Sequence, residues 1–199
     1  MADDKFVQDI QDAIRRRYAE VSKSAGGIFN YPTGRDGAIL LGYDANVIAS
    51  MHDELVESFC GVGNPFELGP INPGEAVLDI GCGAGFDLVV ASSMVGRRGK
   101  VCGIDITPEM KEKAKKNLFQ AALSDFDVRV AGAELIPYPD GTFDVVISNG
   151  VLNLSPLKEK SFREIRRVLK AGGRLQFADI VRKDACTPAG GDSLEAWSG

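Results

Sequence analysis

The stretch Ala76-Val77-Leu78-Asp79-Ile80-Gly81-Cys82-Gly83-Ala84-Gly85-Phe86-Asp87 decides the fold. Its first five positions are apolar except for Asp79, the composition of a short strand buried on both faces. Glycines at alternate positions then allow a tight turn with positive φ and let a ligand approach bare backbone. A helix is predicted from Phe86 or Asp87 onward, and the free N–H groups of its first turn would face a negative group. Asp79 is out of character in such a strand. An ionised carboxylate there is costly unless something positive balances it, so a cation is expected close by.

Outward from this unit the same rhythm repeats. Apolar runs predict strands over Ala76 to Ile80, Lys100 to Ile104, Asp127 to Ala131, Phe143 to Ser148 and Arg174 to Asp179. Helical periodicity is clearest over Pro108 to Leu123, with Thr107 as cap, and over Pro156 to Leu169, which stops before Ala171-Gly172-Gly173. This alternation predicts an α/β protein with a Rossmann-like, doubly wound, mainly parallel sheet of about five strands, its ligand lying beyond their carboxyl ends. Ahead of the sheet, helices are predicted over Asp4 to about Ser22 and over Asp44 to about Phe59, joined by a Gly- and Pro-containing connection from Gly26 to Gly42. The chain thus reads as a helical segment or lid over 1–72, a core over 73–182 and a tail over 183–199, together one domain.

Residues beyond the glycines suggest the ligand. Asp105 closes the second predicted strand, where a carboxylate can accept both ribose hydroxyls of an adenosine. Phe86 stands where a dinucleotide fingerprint has its third glycine, which disfavours a nicotinamide cofactor. S-adenosyl-L-methionine has an amino-acid end, a sulfonium and an adenosine, and the chain offers subsites in that order. Asp79 would face the ammonium, and the backbone of Gly81, Cys82, Gly83 and Gly85 would follow the methionyl part. Asp105 would clamp the ribose, Ile106 and Met110 cover the adenine, and Ala133-Glu134 meet its edge, with a surface turn as the alternative role for Glu134. Asn149, counted with the cofactor set, and Asn153 lie where they would orient an acceptor or cap a strand. The sole histidine, His52, is expected on a helix surface, and no catalytic residue is specified.

These segments resemble class I methyltransferases, in particular the arsenite methyltransferase branch and, more distantly, the ubiquinone/menaquinone-biosynthesis enzymes. The resemblance runs over roughly residues 60 to 180. It is carried by Gly63-Asn64-Pro65, by Pro73 to Asp87 and by Val101-Cys-Gly-Ile-Asp-Ile-Thr-Pro-Glu-Met110. Ile147-Ser-Asn-Gly-Val-Leu-Asn-Leu-Ser-Pro156 and Phe162-Arg-Glu-Ile-Arg-Arg-Val-Leu-Lys-Ala-Gly-Gly-Arg174 add to it. It implies methyl transfer from S-adenosyl-L-methionine to a small-molecule acceptor. Arsenite is one alternative, and a non-catalytic protein binding S-adenosylmethionine or S-adenosylhomocysteine is another.

The thiols count against arsenite, which soft thiolates would hold. Where the resemblance implies a substrate cysteine after Ser148-Asn149, this chain has Gly150, and residues 1 to 59 contain none. Cys60 remains as the candidate, since Cys82 lies in the glycine turn and Cys102 within a strand. The four cysteines, Cys186 included, form no CxxC pair, so reduced thiols and no metal site are expected.

With 199 residues and 44% apolar side chains, the chain is large enough to bury one core without cross-links. A net charge of −5 disfavours nucleic acid or an anionic membrane as partner, and Arg15-Arg16-Arg17 reads as a solvated helix face. No apolar run approaches the roughly 18 to 20 residues that span a bilayer, and no signal-peptide core is present, so a cytoplasmic protein is expected. The usual seven-stranded sheet would need two more strands than the residues after Asp179 provide. A fifth strand left uncovered favours homodimerisation through its exposed edge.

Overall fold

The computed structural model describes residues 4–23 and 26–181. Helix α1 spans Asp4–Val21 and is followed by three short helices, α2 (Gly34–Leu40), α3 (Ala45–Ala49) and α4 (Asp53–Glu57). The alternating part then runs β1 (Ala76–Ile80), α5 (Phe86–Val95), β2 (Lys100–Asp105), α6 (Pro108–Gln120) and β3 (Phe126–Val130). It ends with β4 (Phe143–Asn149), α7 (Lys158–Val168) and β5 (Leu169–Ala178). All strand pairs are parallel, in the order β3-β2-β1-β4-β5. The expected Rossmann-like sheet is therefore the observed one, and the order reverses between β1 and β4, where such sheets open a ligand crevice.

Alternation along each strand explains why both faces are covered. Val77, Val101, Val128, Val145 and Ile147 point to one side, against Leu88, Ala91 and Val95 of α5 and Ala114 and Leu118 of α6. Leu78, Ile80, Cys102, Ile104 and Val146 point to the other, against Ile165 and Val168 of α7. A parallel strand needs apolar residues at both parities, which these five-residue runs supply. On the N-terminal side, α2, α3 and α4 form a separate apolar cluster around Tyr43, Phe59 and Phe86, while Val21 of α1 packs on Met110 of α6.

Three local expectations are corrected. The single helix over Asp44 to Phe59 is two, because local capping competes with apolar periodicity. Ser50 returns its hydroxyl to the Val47 carbonyl at 2.7 Å, and His52 Nδ1 accepts the Leu55 N–H at 3.3 Å, closing one helix and opening the next. The connection over Gly26 to Gly42 contains α2, whose Gly34 and Gly37 lower its propensity but whose Ala38 is fully buried. The last strand starts at Leu169 rather than Arg174, since helix α7 stops at Val168 and the chain passes directly into the sheet with a register irregularity opposite Phe143 and Val145. The tail over 183–199, with Cys186, lies outside the described residues.

The sheet also constrains a glycine. A Cβ on Gly103, in the middle of β2, would lie 2.8 Å from Cys82 Sγ and 2.9 Å from Leu88 Cδ1. Gly103→Val should therefore lower the urea midpoint by an amount corresponding to about 1–3 kcal/mol, the usual cost of overpacking. An unchanged midpoint would show that the glycine turn and α5 can move off the sheet at no cost.

Candidate functional site

A cleft open to solvent lies over the carboxyl ends of the strands. Its floor is the turn after β1. Gly81, Gly83 and Gly85 have φ of +71°, +50° and +93°, values an L side chain rarely adopts. A Cβ on Gly83 would meet nothing within 4 Å, so the turn presents bare backbone to open space. Asn117 of α6 holds the turn from behind, its Nδ2 donating to the Ala84 carbonyl at 2.9 Å.

Asp105, at the end of β2, governs the shape of this floor. One carboxylate oxygen accepts the Gly83 N–H at 3.0 Å and the other accepts the Thr107 N–H at 2.8 Å, tying the glycine turn to the start of α6. Burial raises its carboxyl above the ordinary range, and these two backbone donors oppose the rise. Asp79 is 2% exposed and raised further, by burial first and then by the charges of Asp87 and Asp105. Asp87, in the first turn of α5, is pushed up to about 6 by burial, against hydrogen bonds from Tyr43 and Asn149. Among the described residues none of the three takes part in an ion pair. The cation expected beside Asp79 is thus not a side chain among the described residues, and three buried carboxylates without a counter-charge suit a cationic ligand.

The predicted residues divide in two. Gly81, Gly83, Asp105, Ile106, Met110, Ala133, Glu134 and Asn149 line the cleft. Asp79, Cys82 and Gly85 do not. Cys82 is 6% exposed and turns its thiol into the core beside Gly103 and Leu88, and Gly85 caps α5 beneath the floor. Glu134 is no surface turn: it is 7% exposed and accepts the Ser155 hydroxyl at 2.6 Å.

Asn149 lines the cleft, yet its amide is engaged. Its Oδ1 accepts the Val62 and Gly63 N–H groups at 2.8 and 3.1 Å, and its Nδ2 faces the Gly63 carbonyl at 2.8 Å and Asp87 Oδ2 at 3.2 Å. Tyr43 completes the network by donating to Asp87 Oδ1 at 2.7 Å. Asn153 is outside the lining, with its backbone N–H on Asp179. His52 is also outside it and serves as a helix cap.

Sequence reasoning missed the wall supplied by α1. Gln11, Ile14 and Tyr18, one stripe at helical spacing, line the cleft together with Ser58 and Cys60. The spacing places these three on one face, but nothing local says what that face covers. Asp87 was also missed as a site group, although an acid in the first turn after a glycine loop was a visible signal.

An all-parallel sheet with a glycine turn after β1 and an acid ending β2 defines a Rossmann-like α/β protein that takes its ligand at the switch point. The chain belongs to the methyltransferase-domain family, whose model matches residues 71–197. It is 36% identical over 196 residues to an arsenite methyltransferase of Halobacterium salinarum, covering 92% of this chain and 50% of that one. Among solved structures it is similar to a SAM-dependent methyltransferase from Aquifex aeolicus, with TM-score 0.55 and 31% identity over 63% of this chain and 70% of that one. It is also similar to an arsenic(III) S-adenosylmethionine methyltransferase from Chlamydomonas reinhardtii, with TM-score 0.52 and 33% identity over 75% and 50%. The chain spans about half the length of the curated relatives it matches.

The buried acids generate a prediction whose sign comes from linkage. A carboxyl raised in the folded state holds its proton more tightly there, so its contribution is fully present below the unfolded value, about 4, and is lost as pH rises. For Asp87 the loss runs from there to about 6, and for Asp79 it continues upward. Asp79→Asn should therefore raise the melting temperature of the ligand-free protein at pH 8, with the gain vanishing near pH 4. A variant less stable than the parent at pH 8 would contradict the destabilising role of the Asp79 charge.

Proposed function

We propose that this chain binds S-adenosyl-L-methionine in the cleft and transfers its methyl group to a small-molecule acceptor. The observation that carries this reading is the set of buried carboxylates around the bare glycine turn, a site short of positive charge. When bound, the cofactor supplies an electrophilic methyl on a sulfonium, which offsets that charge. Asp105 would accept the ribose hydroxyls while holding the turn, Glu134 would face the adenine edge, and Ile106 and Met110 would pack on the ring. Ile14, Ile80, Val151 and Leu154 give the remaining wall an apolar character that excludes water.

Little acid–base machinery accompanies this. Among the described lining residues there is no Lys, Arg or His. Burial, and then the charges of Asp105 and Asp87, push the Cys60 thiol up to about 12, so it is protonated at neutral pH. The chain's part is to position an acceptor that already carries a reactive lone pair and to keep water out. Calorimetry with S-adenosylmethionine and S-adenosylhomocysteine tests the reading. Both should bind, and Asp105→Ala should weaken them more than Glu134→Ala, by about tenfold for charge-assisted bonds of about 1.5–3 kcal/mol. No heat with either ligand would sink the proposal.

The arsenite methyltransferases to which the chain is similar suggest a second reading, and two local features oppose it. Gly150 has φ of +73° and no side chain to offer, and a Cβ there would sit 3.3 Å from both methyls of Val62. Cys60 is a thiol rather than a thiolate, while soft metal ligation uses the thiolate. We expect slow methylarsenical production from arsenite and glutathione by the parent protein, and a gain in Gly150→Cys despite a lower melting temperature from the strained backbone. Fast turnover by the parent, unchanged in Cys60→Ser, would overturn this expectation.

A further inference from the structure

The proposed cofactor brings an anionic group for which the floor of the cleft has no counterpart. Its α-carboxylate needs donors, and the described lining has no cationic side chain. The turn itself has few to spare: the N–H groups of Gly81 and Cys82 go to the Ile104 carbonyl, that of Gly83 to Asp105, and that of Gly85 to the Cys82 carbonyl. Neutral side chains are mostly spent as well. Ser58 donates to the Leu55 carbonyl, Ser155 donates to Glu134, and the Asn149 amide is held by Gly63 and Asp87. Asp105 and Glu134, as carboxylates, only accept.

Apart from the weakly donating thiol of Cys60, two lining side chains remain, both on α1. The Tyr18 phenol and the Gln11 amide make no hydrogen bond among the described residues, and they flank Ile14 on the stripe that faces the cleft. Helix α1 is fixed over the cleft by Val21 against Met110, with Tyr18 and Cys60 in the same cluster, by Lys113 Nζ donating to the Ser22 carbonyl at 2.8 Å, and by Arg17 over the Phe29 ring at 5.5 Å. We infer that Tyr18, assisted by Gln11, is the binding site for the α-carboxylate of the cofactor, so that α1 is part of the cofactor cradle rather than only a cover. Burial, the largest cause, holds the Tyr18 phenol protonated well above its ordinary range, which keeps it a donor at any working pH. A neutral donor pair also avoids placing a cation among the buried acids, where it would compete with the ligand's ammonium.

This inference rests on the proposed binding of S-adenosyl-L-methionine, and one experiment separates the two. Affinities of S-adenosylhomocysteine and its decarboxylated analogue, S-adenosyl-3-thiopropylamine, are measured for the parent, Tyr18→Phe and Gln11→Ala, with Glu20→Ala on the exposed face as control. Tyr18→Phe should weaken S-adenosylhomocysteine about tenfold, as expected for a hydrogen bond to a charged group, and leave the analogue within about twofold of the parent. Gln11→Ala should act in the same direction but less strongly, and it carries the test if Tyr18→Phe lowers the melting temperature. Equal losses for both ligands, or no loss for either, would overturn the assignment while leaving the cofactor in place. Failure of S-adenosylhomocysteine to bind the parent would remove both.

Discussion

The carboxylate of Asp105 sets the working shape of the sheet's upper end. By accepting one N–H from the glycine turn and one from the start of α6, it joins the ends of two adjacent strands into a single floor. A parallel sheet leaves the loops at its carboxyl ends unpaired, and here a side chain supplies the bonds that a backbone ladder cannot. The positive-φ glycines make this feasible, because a Cβ in the turn would oppose the backbone path that brings Gly83 within reach of Asp105. The position of everything else in the cleft depends on that floor.

Holding the floor with an acid has an electrostatic consequence. Asp79, Asp87 and Asp105 gather in a space that water barely reaches, each raising the energy of the charged form of Asp79 or being raised itself by burial. Without a counter-charge this arrangement is locally unstable and a cationic ligand relieves it, a common compromise between stability and binding. Burial of three acids for their own sake would have no stabilising logic, whereas burial of three acids around a turn built for a charged ligand has one.

The N-terminal segment is drawn into the same arrangement by a second polar device. Asn149 reaches from the end of β4 to the Val62-Gly63 backbone, and through Asp87 to Tyr43, so that the loop before β1, helix α5 and the short N-terminal helices share one network. Tyr43, Phe59 and Phe86 pack edge-on or tilted around it. The residues ahead of the sheet also wall the cleft, through Gln11, Ile14 and Tyr18 of α1 and through Ser58 and Cys60. Gly150 and Val62 also meet in this region, a Cβ on Gly150 falling 3.3 Å from both Val62 methyls.

Local chemistry made much of this legible in the amino-acid order. Apolar runs of five residues at both parities can only be strands covered on two faces, so β1, β2 and β4 and the parallel sheet were readable, as were the glycine turn and the acid at the end of β2. Short-range capping at Ser50 and His52 and the glycine-containing α2 were misread, because there a few hydrogen bonds and the burial of Ala38 outweigh periodicity. Sequence by itself determined the sheet, the turn and the acid at the end of β2, since each depends on neighbours a few residues away. Tertiary structure alone decided that Cys82 faces the core, that Asn149 is a strap, and that Gln11 and Tyr18 reach a cleft built more than sixty residues later. Those outcomes depend on which faces of distant elements meet, and that is set by the packing of the whole chain rather than by any one stretch of it.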